Sequence, residues 1–404
     1  MNLGIIFPEF HINLGIRNKF TNFEAYKTLT VMIDRILQQQ LNGYFNRNKV
    51  MSILGPRQVG KSTLLNELSK SGSKVRILNC DNEDDRILLS GKSSTELKQL
   101  IEPHDFFLID EAQRVRNIGL TLKMIGDLHL NTHVIVTGSS SLGLADEINE
   151  PATGRLIEFN LYPLSLPELA ANTSQTEEKR MLTTRMIYGL YPEVVTAPEY
   201  ARDTLMNLVN NYLYRDALSF QGLRKPDALT KLVQALALQV GSEVSYNELA
   251  LTVGIDKATV ENYINLLEKC FIVFRLSSFS RNARNEIKKG KKIYFVDNGV
   301  RNAVLSNFAP LELRNDHGML WENLMVSERI KRNAYHRSYA QLYFWRTTNQ
   351  KEIDLVEYMD GRLTTFEFKW NEKKKAVMPE AFAQLYPNSD FHVINRDNFW
   401  QFLT

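Results

Sequence analysis

Apolar positions along the chain recur in two rhythms. Short apolar runs at 49–54, 74–80, 105–110 and 133–137, each bounded by turn-forming residues, predict buried strands. Residues 24–42 read as a helix leading into the first of them, and 62–68 spaces its leucines as a helix does. Helical spacing then runs through 176–235, broken at Gly189, Leu190, Tyr191 and Pro192. Beyond it the pattern predicts a helix at 245–251 with Ser245 as N-cap, a turn at 254–256, a helix at 257–269 and a strand at 271–276. A hairpin at 287–296 is expected to turn at Gly290. The last hundred residues predict a helix, a strand at 342–346, two alternating runs at 352–359 and 362–370, a helix near 378–386 and a strand at 391–394.

Between the first strand and first core helix stand Gly55, Pro56, Arg57, Gln58, Val59, Gly60, Lys61, Ser62 and Thr63. They spell G-x-x-x-x-G-K-S in the strand–loop–helix setting that the motif requires. Backbone N–H groups of such a loop wrap a phosphate, and the dipole of the following helix favours its charge. Lys61 is expected on the β- and γ-phosphates of ATP, and Ser62 on Mg²⁺. The strand at 105–110 ends in Asp110 and Glu111. A carboxylate at that strand tip suits the metal, so Asp110 is assigned to Mg²⁺ and Glu111 to the base that activates water. The strand at 133–137 leads to Ser139, a candidate sensor of the γ-phosphate or of the water. Arg155 follows it and is either an arginine finger, in cis or across a subunit contact, or a surface cation. The interruption at 189–192 is either a contact to nucleotide or a plain helix–helix turn. The strand order is that of a P-loop ATPase with an additional strand.

Composition narrows the partners. The 404 residues carry a net charge of only +3, so global charge does not argue for nucleic acid. Cys80 and Cys270 are the two cysteines and fit reduced thiols in a cytoplasmic protein. The sequence has no apolar run of membrane-spanning length and no secretory pattern, so no membrane association is expected. His129 and His133 are read as structural. Local charge is another matter: Arg281, Arg284, Lys288, Lys289, Lys291 and Lys292 make the expected hairpin basic, which suits phosphate contact with DNA or a solvated loop equally.

A second set of carboxylates sits near the C-terminus. Asp360 and Gly361 between two alternating runs signal a two-residue hairpin. In that register paired residue numbers sum to 721, Asp354 opposes Glu367, and Lys369 shares their face opposite Glu352. Ile353, Leu355, Phe366, Phe368 and Trp370 are then expected on the apolar face. Opposed like charges destabilise a sheet, and a divalent cation between them would remove the penalty. Glu322, on the preceding helix, is the candidate third carboxylate. The competing reading is a Glu352–Lys369 ion pair beside a solvated Asp354.

The combination resembles a known group, the bacterial and archaeal AAA-like ATPases with a C-terminal domain of unknown function. The residues that carry the resemblance are GPRQVGKST at 55–63, FLIDEAQ at 107–113, VTGSSS at 136–141, Gly154 with Arg155, LYPLSLPEL at 161–169, TVENYINLLEKCF at 259–271, IYFVDN at 293–298 and GMLWEN at 318–323. This resemblance implies a multidomain α/β fold. Its parts would be an N-terminal segment and helix (1–45), a P-loop AAA-like ATPase core (46–167), a helical lid (168–238), a winged helix (239–300) and a C-terminal restriction-endonuclease-like α/β domain (312–404). Glu322, Asp354, Glu367 and Lys369 would fall on the PD-(D/E)xK positions of that last domain, with Ile353 where the motif has proline. Leu190 stands where a second glycine is usual before Tyr-Pro. Two functions follow as expectations. One is an ATP-driven DNA-binding or DNA-processing enzyme. The other is a nucleotide-dependent switch or scaffold that recruits a protein partner or self-associates, its nuclease-like domain inactive.

Overall fold

Five parallel strands make the first sheet: β1 (Val50–Leu54), β2 (Val75–Asn79), β3 (Phe106–Asp110), β4 (His133–Gly138) and β5 (Leu156–Asn160), in the order β2-β3-β4-β1-β5. The computed structural model describes residues 32–139, 154–213, 225–280, 290–347 and 349–404. A parallel sheet needs cover on both faces, and alternate residues of each strand supply the two cores. Val50, Leu54, Phe107, Ile109 and Val136 pack on α3 (Glu83–Leu89), α4 (Ser94–Ile101) and α5 (Ile118–Asp127). Met51, Ile53, Leu108 and Ile135 pack on α1 (Ile36–Asn42) and α2 (Lys61–Ser69). Among the described residues the helix expected at 24–42 begins at Ile36, and residues 24–31 lie outside the described residues. Residue 35 is extended, at φ −98° and ψ 131°. That conformation frees the N–H of Ile36 to donate to the Glu168 carboxylate at 3.0 Å.

Short helices follow: α6 (Leu166–Asn172), α7 (Gln175–Arg180), α8 (Leu182–Tyr188), α9 (Pro192–Thr196), α10 (Ala201–Asn207), which runs into a π-helical turn at Leu208–Leu213, and α11 (Pro226–Leu238). Ser165 and Glu168 form a reciprocal capping box that starts α6 sharply. The helices break at Gly189. Its φ is +73°, and a Cβ there would lie 2.0 Å from Asp297 Oδ1. The N–H of Leu190 donates to Asp297 Oδ2 at 2.7 Å, which fastens the turn to the second half of the chain.

The second sheet has seven strands: β6 (Glu243–Val244), β7 (Val273–Ser278), β8 (Lys291–Phe295), β9 (Gln341–Arg346), β10 (Glu352–Met359), β11 (Arg362–Phe368) and β12 (Ser389–Ile394). Their order is β12-β11-β10-β9-β7-β8-β6. The helices between them are α12 (Tyr246–Val253), α13 (Lys257–Lys269), α14 (Asn298–Val304), α15 (His317–His336), α16 (Glu380–Leu385) and α17 (Phe399–Leu403). One sheet crosses the boundary between residues 239–300 and 312–404, because β7 pairs with β9. Strand β8 pairs with β7 and β6, and the first arm of the hairpin expected at 287–296 lies outside the described residues. Helix α15 lies on one face of this sheet, with Trp321, Leu324 and Met325 against Phe344, Leu355, Phe366 and Phe368. At its far end Tyr335 joins the core under the first sheet.

Candidate functional site

The phosphate loop leaves the C-terminal end of β1, whose five residues are all buried. Gly55 is obligatory, since a Cβ would stand 2.2 Å from the Leu161 carbonyl oxygen. Gln58 and Gly60 take positive φ, and Gly60 caps α2 in the left-handed region. Pro56 and Val59 are buried; Arg57 is half-buried, and Gln58 and Thr63 are exposed. Lys61 is buried and donates to the carbonyls of Gly55 (3.0 Å) and Pro56 (2.9 Å), so its ammonium lies over the loop. Ser62 Oγ donates to Asp110 Oδ2 at 2.5 Å. Thr137 donates to the other oxygen of Asp110.

One residue on, Glu111 has φ +54°, an uncommon conformation for a residue with a side chain. Its N–H donates to Thr137 Oγ1 at 3.2 Å, which holds the backbone in that state. Gln113 Nε2 donates both to Glu111 Oε2 and, at 3.0 Å, to Ser139 Oγ. Sequence reasoning assigned no role to Gln113 or Thr137, yet they join Asp110, Glu111 and Ser139 into one network. The only signal was Gln113 closing the FLIDEAQ string. Ser140 and Ser141 lie outside the described residues.

Arg155, read as an arginine finger in cis or across a subunit contact or as a surface cation, lies at the other end of β1 from this constellation. Its carbonyl accepts from the N–H of Val50 at the start of β1 (3.1 Å), whereas the phosphate loop leaves the other end. The strand between spans roughly 16 Å. The guanidinium pairs with Asp127 on α5.

Arg35, which no motif marks, anchors the loop from behind. It is 8 % exposed and donates to the Val59 carbonyl (2.9 Å), Glu168 Oε1 (3.0 Å), the Tyr162 carbonyl (2.6 Å) and Tyr335 Oη (3.1 Å). Burial opposes its charge, but Tyr335 and Glu168 outweigh burial and raise its pKa. A cavity of about 30 Å³ lies beside the loop, lined by Pro56 and Arg57 together with Tyr191, Phe271, Val296 and Asp297 among others. The 189–192 turn thus reaches the loop's surroundings through Tyr191.

The C-terminal hairpin turns where expected. Asp360 and Gly361 both have positive φ, at +50° and +82°. Pairs from Leu355 with Phe366 to Met359 with Arg362 keep the 721 register. The alternation breaks just before it: the β9–β10 register shifts between Ile353 and Val356. This bulge sends Ile353 to the opposite face from Leu355, to pack with Trp345, Val356 and Phe382, so its place on the Leu355 face is corrected. Asp354 Oδ2 accepts from the N–H of Phe368 at 2.8 Å. Burial, then the charge of Glu322, push its carboxyl up to about 7. Burial and Asp354 raise Glu367. Lys369 donates to Glu367 Oε1 at 2.6 Å, while Glu367 Oε2 is buried with no hydrogen-bond partner. The Glu352–Lys369 pairing is replaced, because Glu352 meets Arg346 at 3.4 Å and also Lys292.

Lys292 alters the reading of the wing as well. It is 1 % exposed and cannot serve as a free phosphate contact. Its Nζ lies 3.0 Å from Glu322, 4.0 Å from Asp354 and in contact with Glu352. Lys291 donates to Ser277 Oγ at 2.8 Å. Arg281, Arg284, Lys288 and Lys289 lie outside the described residues. Among the described residues no three His, Cys, Asp or Glu side chains gather so as to hold a metal ion. No described helix is long and apolar enough to cross a membrane.

Comparison with known proteins matches three stretches of the chain. Residues 47–170 match the family model of an AAA domain. Residues 179–311 and 317–399 match two domains of unknown function, DUF8612 and DUF4143. An uncharacterised protein of Haemophilus influenzae is 24 % identical over 79 % of this chain and 82 % of its own length. One from Mycobacterium tuberculosis is 25 % identical over 82 % of this chain and 72 % of its own. Among solved structures, AMPPCP-bound DnaA from Aquifex aeolicus aligns at 19 % identity over 58 % of this chain and 86 % of its own, with a TM-score of 0.23. The C. elegans PCH-2 structure aligns at 17 % identity over 58 % and 70 %, with a TM-score of 0.26. The 47–170 region, with its parallel sheet, its phosphate loop and the carboxylates beside it, is similar to an AAA domain.

Proposed function

We propose that the chain is an ATP-hydrolysing switch in which events at the phosphate loop are passed to the second sheet. One observation carries this reading: Ser62, Asp110, Glu111 and Ser139 meet at the C-terminal edge of one parallel sheet, joined by Thr137 and Gln113. The donor set fits a magnesium nucleotide. The loop N–H groups and Lys61 suit phosphate, and the oxygens of Ser62 and Asp110 suit Mg²⁺. When bound, Mg²⁺ supplies neutralisation of the phosphate charge. Lys61 is then expected to exchange the Gly55 and Pro56 carbonyls for phosphate oxygens. Glu111, steadied by Gln113, orients and deprotonates the attacking water, and Ser139 senses the γ-phosphate through the same amide. The test is Glu111→Gln, expected to keep nucleotide affinity and lose about 10²–10⁴-fold in turnover. Hydrolysis at the wild-type rate would remove Glu111 as the base.

A second reading, DNA binding through a winged helix and a nuclease-like C-terminal unit, is favoured by one observation. The order α15-β9-β10-β11-α16-β12, with Glu367 and Lys369 on β11 and just past it, is the order expected for that unit. Binding would be salt-sensitive and sequence-tolerant. Replacing Arg281, Arg284, Lys288 and Lys289 with alanine should flatten the salt slope by about one unit for each phosphate no longer neutralised. Unchanged affinity and slope in an anisotropy titration would leave the switch that recruits a protein partner as the better account.

A further inference from the structure

A nuclease-like unit of this shape implies a divalent cation among its carboxylates, and the side chains present do not fit one. The place is taken. Lys292 leaves β8 and runs along the sheet face, its Nζ 5.6 Å from the centre of the Phe344 ring, to end among carboxylates from two elements. Glu322 comes from α15, and Glu352 and Asp354 from β10. Tyr294, two residues along the same strand, donates to Glu322 Oε1 at 2.7 Å and fixes that carboxylate toward the ammonium. Arg346 closes the outer side through Glu352 and Glu243 (3.4 Å each). A buried ammonium needs such partners, and the carboxylates need a cation; each group meets the requirement of the other.

We propose that Lys292 is the resident cation of this cluster, standing where a divalent metal would bind and keeping the C-terminal unit metal-free. The proposal rests on the nuclease-like reading of that unit and regulates the same site. It gives Lys292 a role distinct from DNA contact, although its place in a basic run suggests the opposite.

The test is a Mn²⁺ titration of the full-length chain, followed by electron paramagnetic resonance, with Ser62→Ala and Asp110→Asn present to remove metal binding at the phosphate loop. The chain with Lys292 intact is expected to show no Mn²⁺ site that Asp354→Asn abolishes. Lys292→Met should gain one, tighter by about tenfold or more as a neighbouring like charge is removed. Adding Asp354→Asn should erase it. Binding at the cluster with Lys292 intact would overturn the proposal while leaving the nuclease-like reading in place. A folded Lys292→Met chain that binds nothing would overturn both. Should Lys292→Met fail to fold, the charge-balanced Lys292→Met, Glu352→Gln pair serves in its place, and the intact chain with and without Asp354→Asn still decides the first point. The phosphate-loop reading is judged separately, by turnover.

Discussion

At the scale of single residues, the side chains that matter most are those whose partners are distant in sequence. Arg35 ties a loop carbonyl to Glu168 and Tyr335, the latter 300 residues away. Arg35→Ala leaves Glu168 buried without its cation and should cost about 3–5 kcal/mol, measured by urea unfolding. Adding Glu168→Gln should return part of that loss; a loss below about 1 kcal/mol would show that the anchor is not structural. Asp316 makes a pH prediction. Burial alone would raise its carboxyl, but hydrogen bonds from Arg314 and Arg301 outweigh burial and hold it well below the ordinary value of 3.8. A depressed folded pKa contributes stability above the unfolded value that is lost as the pH falls below it. Stability should therefore drop below about pH 4, and Asp316→Asn should flatten that part of the profile in thermal melts at graded pH. The phosphate loop was legible in the sequence because its chemistry is local, a string of nine residues between two periodic runs. Arg35 and Lys292 were not, because a charged residue looks the same in sequence whether it is solvated or enclosed by partners brought in by the fold.

At the scale of elements, periodicity predicted most strands and helices and missed where the rhythm changes. The adjacent Leu355 and Val356 both being apolar was the trace of the β10 bulge, since strict alternation would have made one of them polar. The helix expected at 24–42 is interrupted at 32–35, where an apolar spacing persists but Arg35 is extended and the N–H of Ile36 reaches Glu168. The Gly189 turn offers a check. Its positive φ and the Asp297 carboxylate 2.0 Å from an added Cβ leave no room for a side chain. Gly189→Ala should cost more than about 1 kcal/mol and loosen the link between the short helices and β8, read as faster amide exchange at Leu190. Unchanged exchange would mean that Asp297 does not hold the turn.

At the scale of the molecule, the continuous second sheet was the least legible feature. The β7–β9 pairing joins segments about sixty residues apart, and no local pattern announces a parallel neighbour. It predicts that a chain ending at residue 311 is insoluble or lacks a cooperative melt, because β7 is left with an open edge and an uncovered apolar face. A soluble, cooperatively melting 1–311 fragment would refute this. The sharing has a further consequence, one of timing. A ribosome makes the phosphate loop early and Tyr335 late, so the loop's rear anchor is completed only when most of the chain has emerged. Until then the nascent protein holds the candidate catalytic residues without the clamp behind their loop, and the proposed turnover should begin only after Tyr335 has been made.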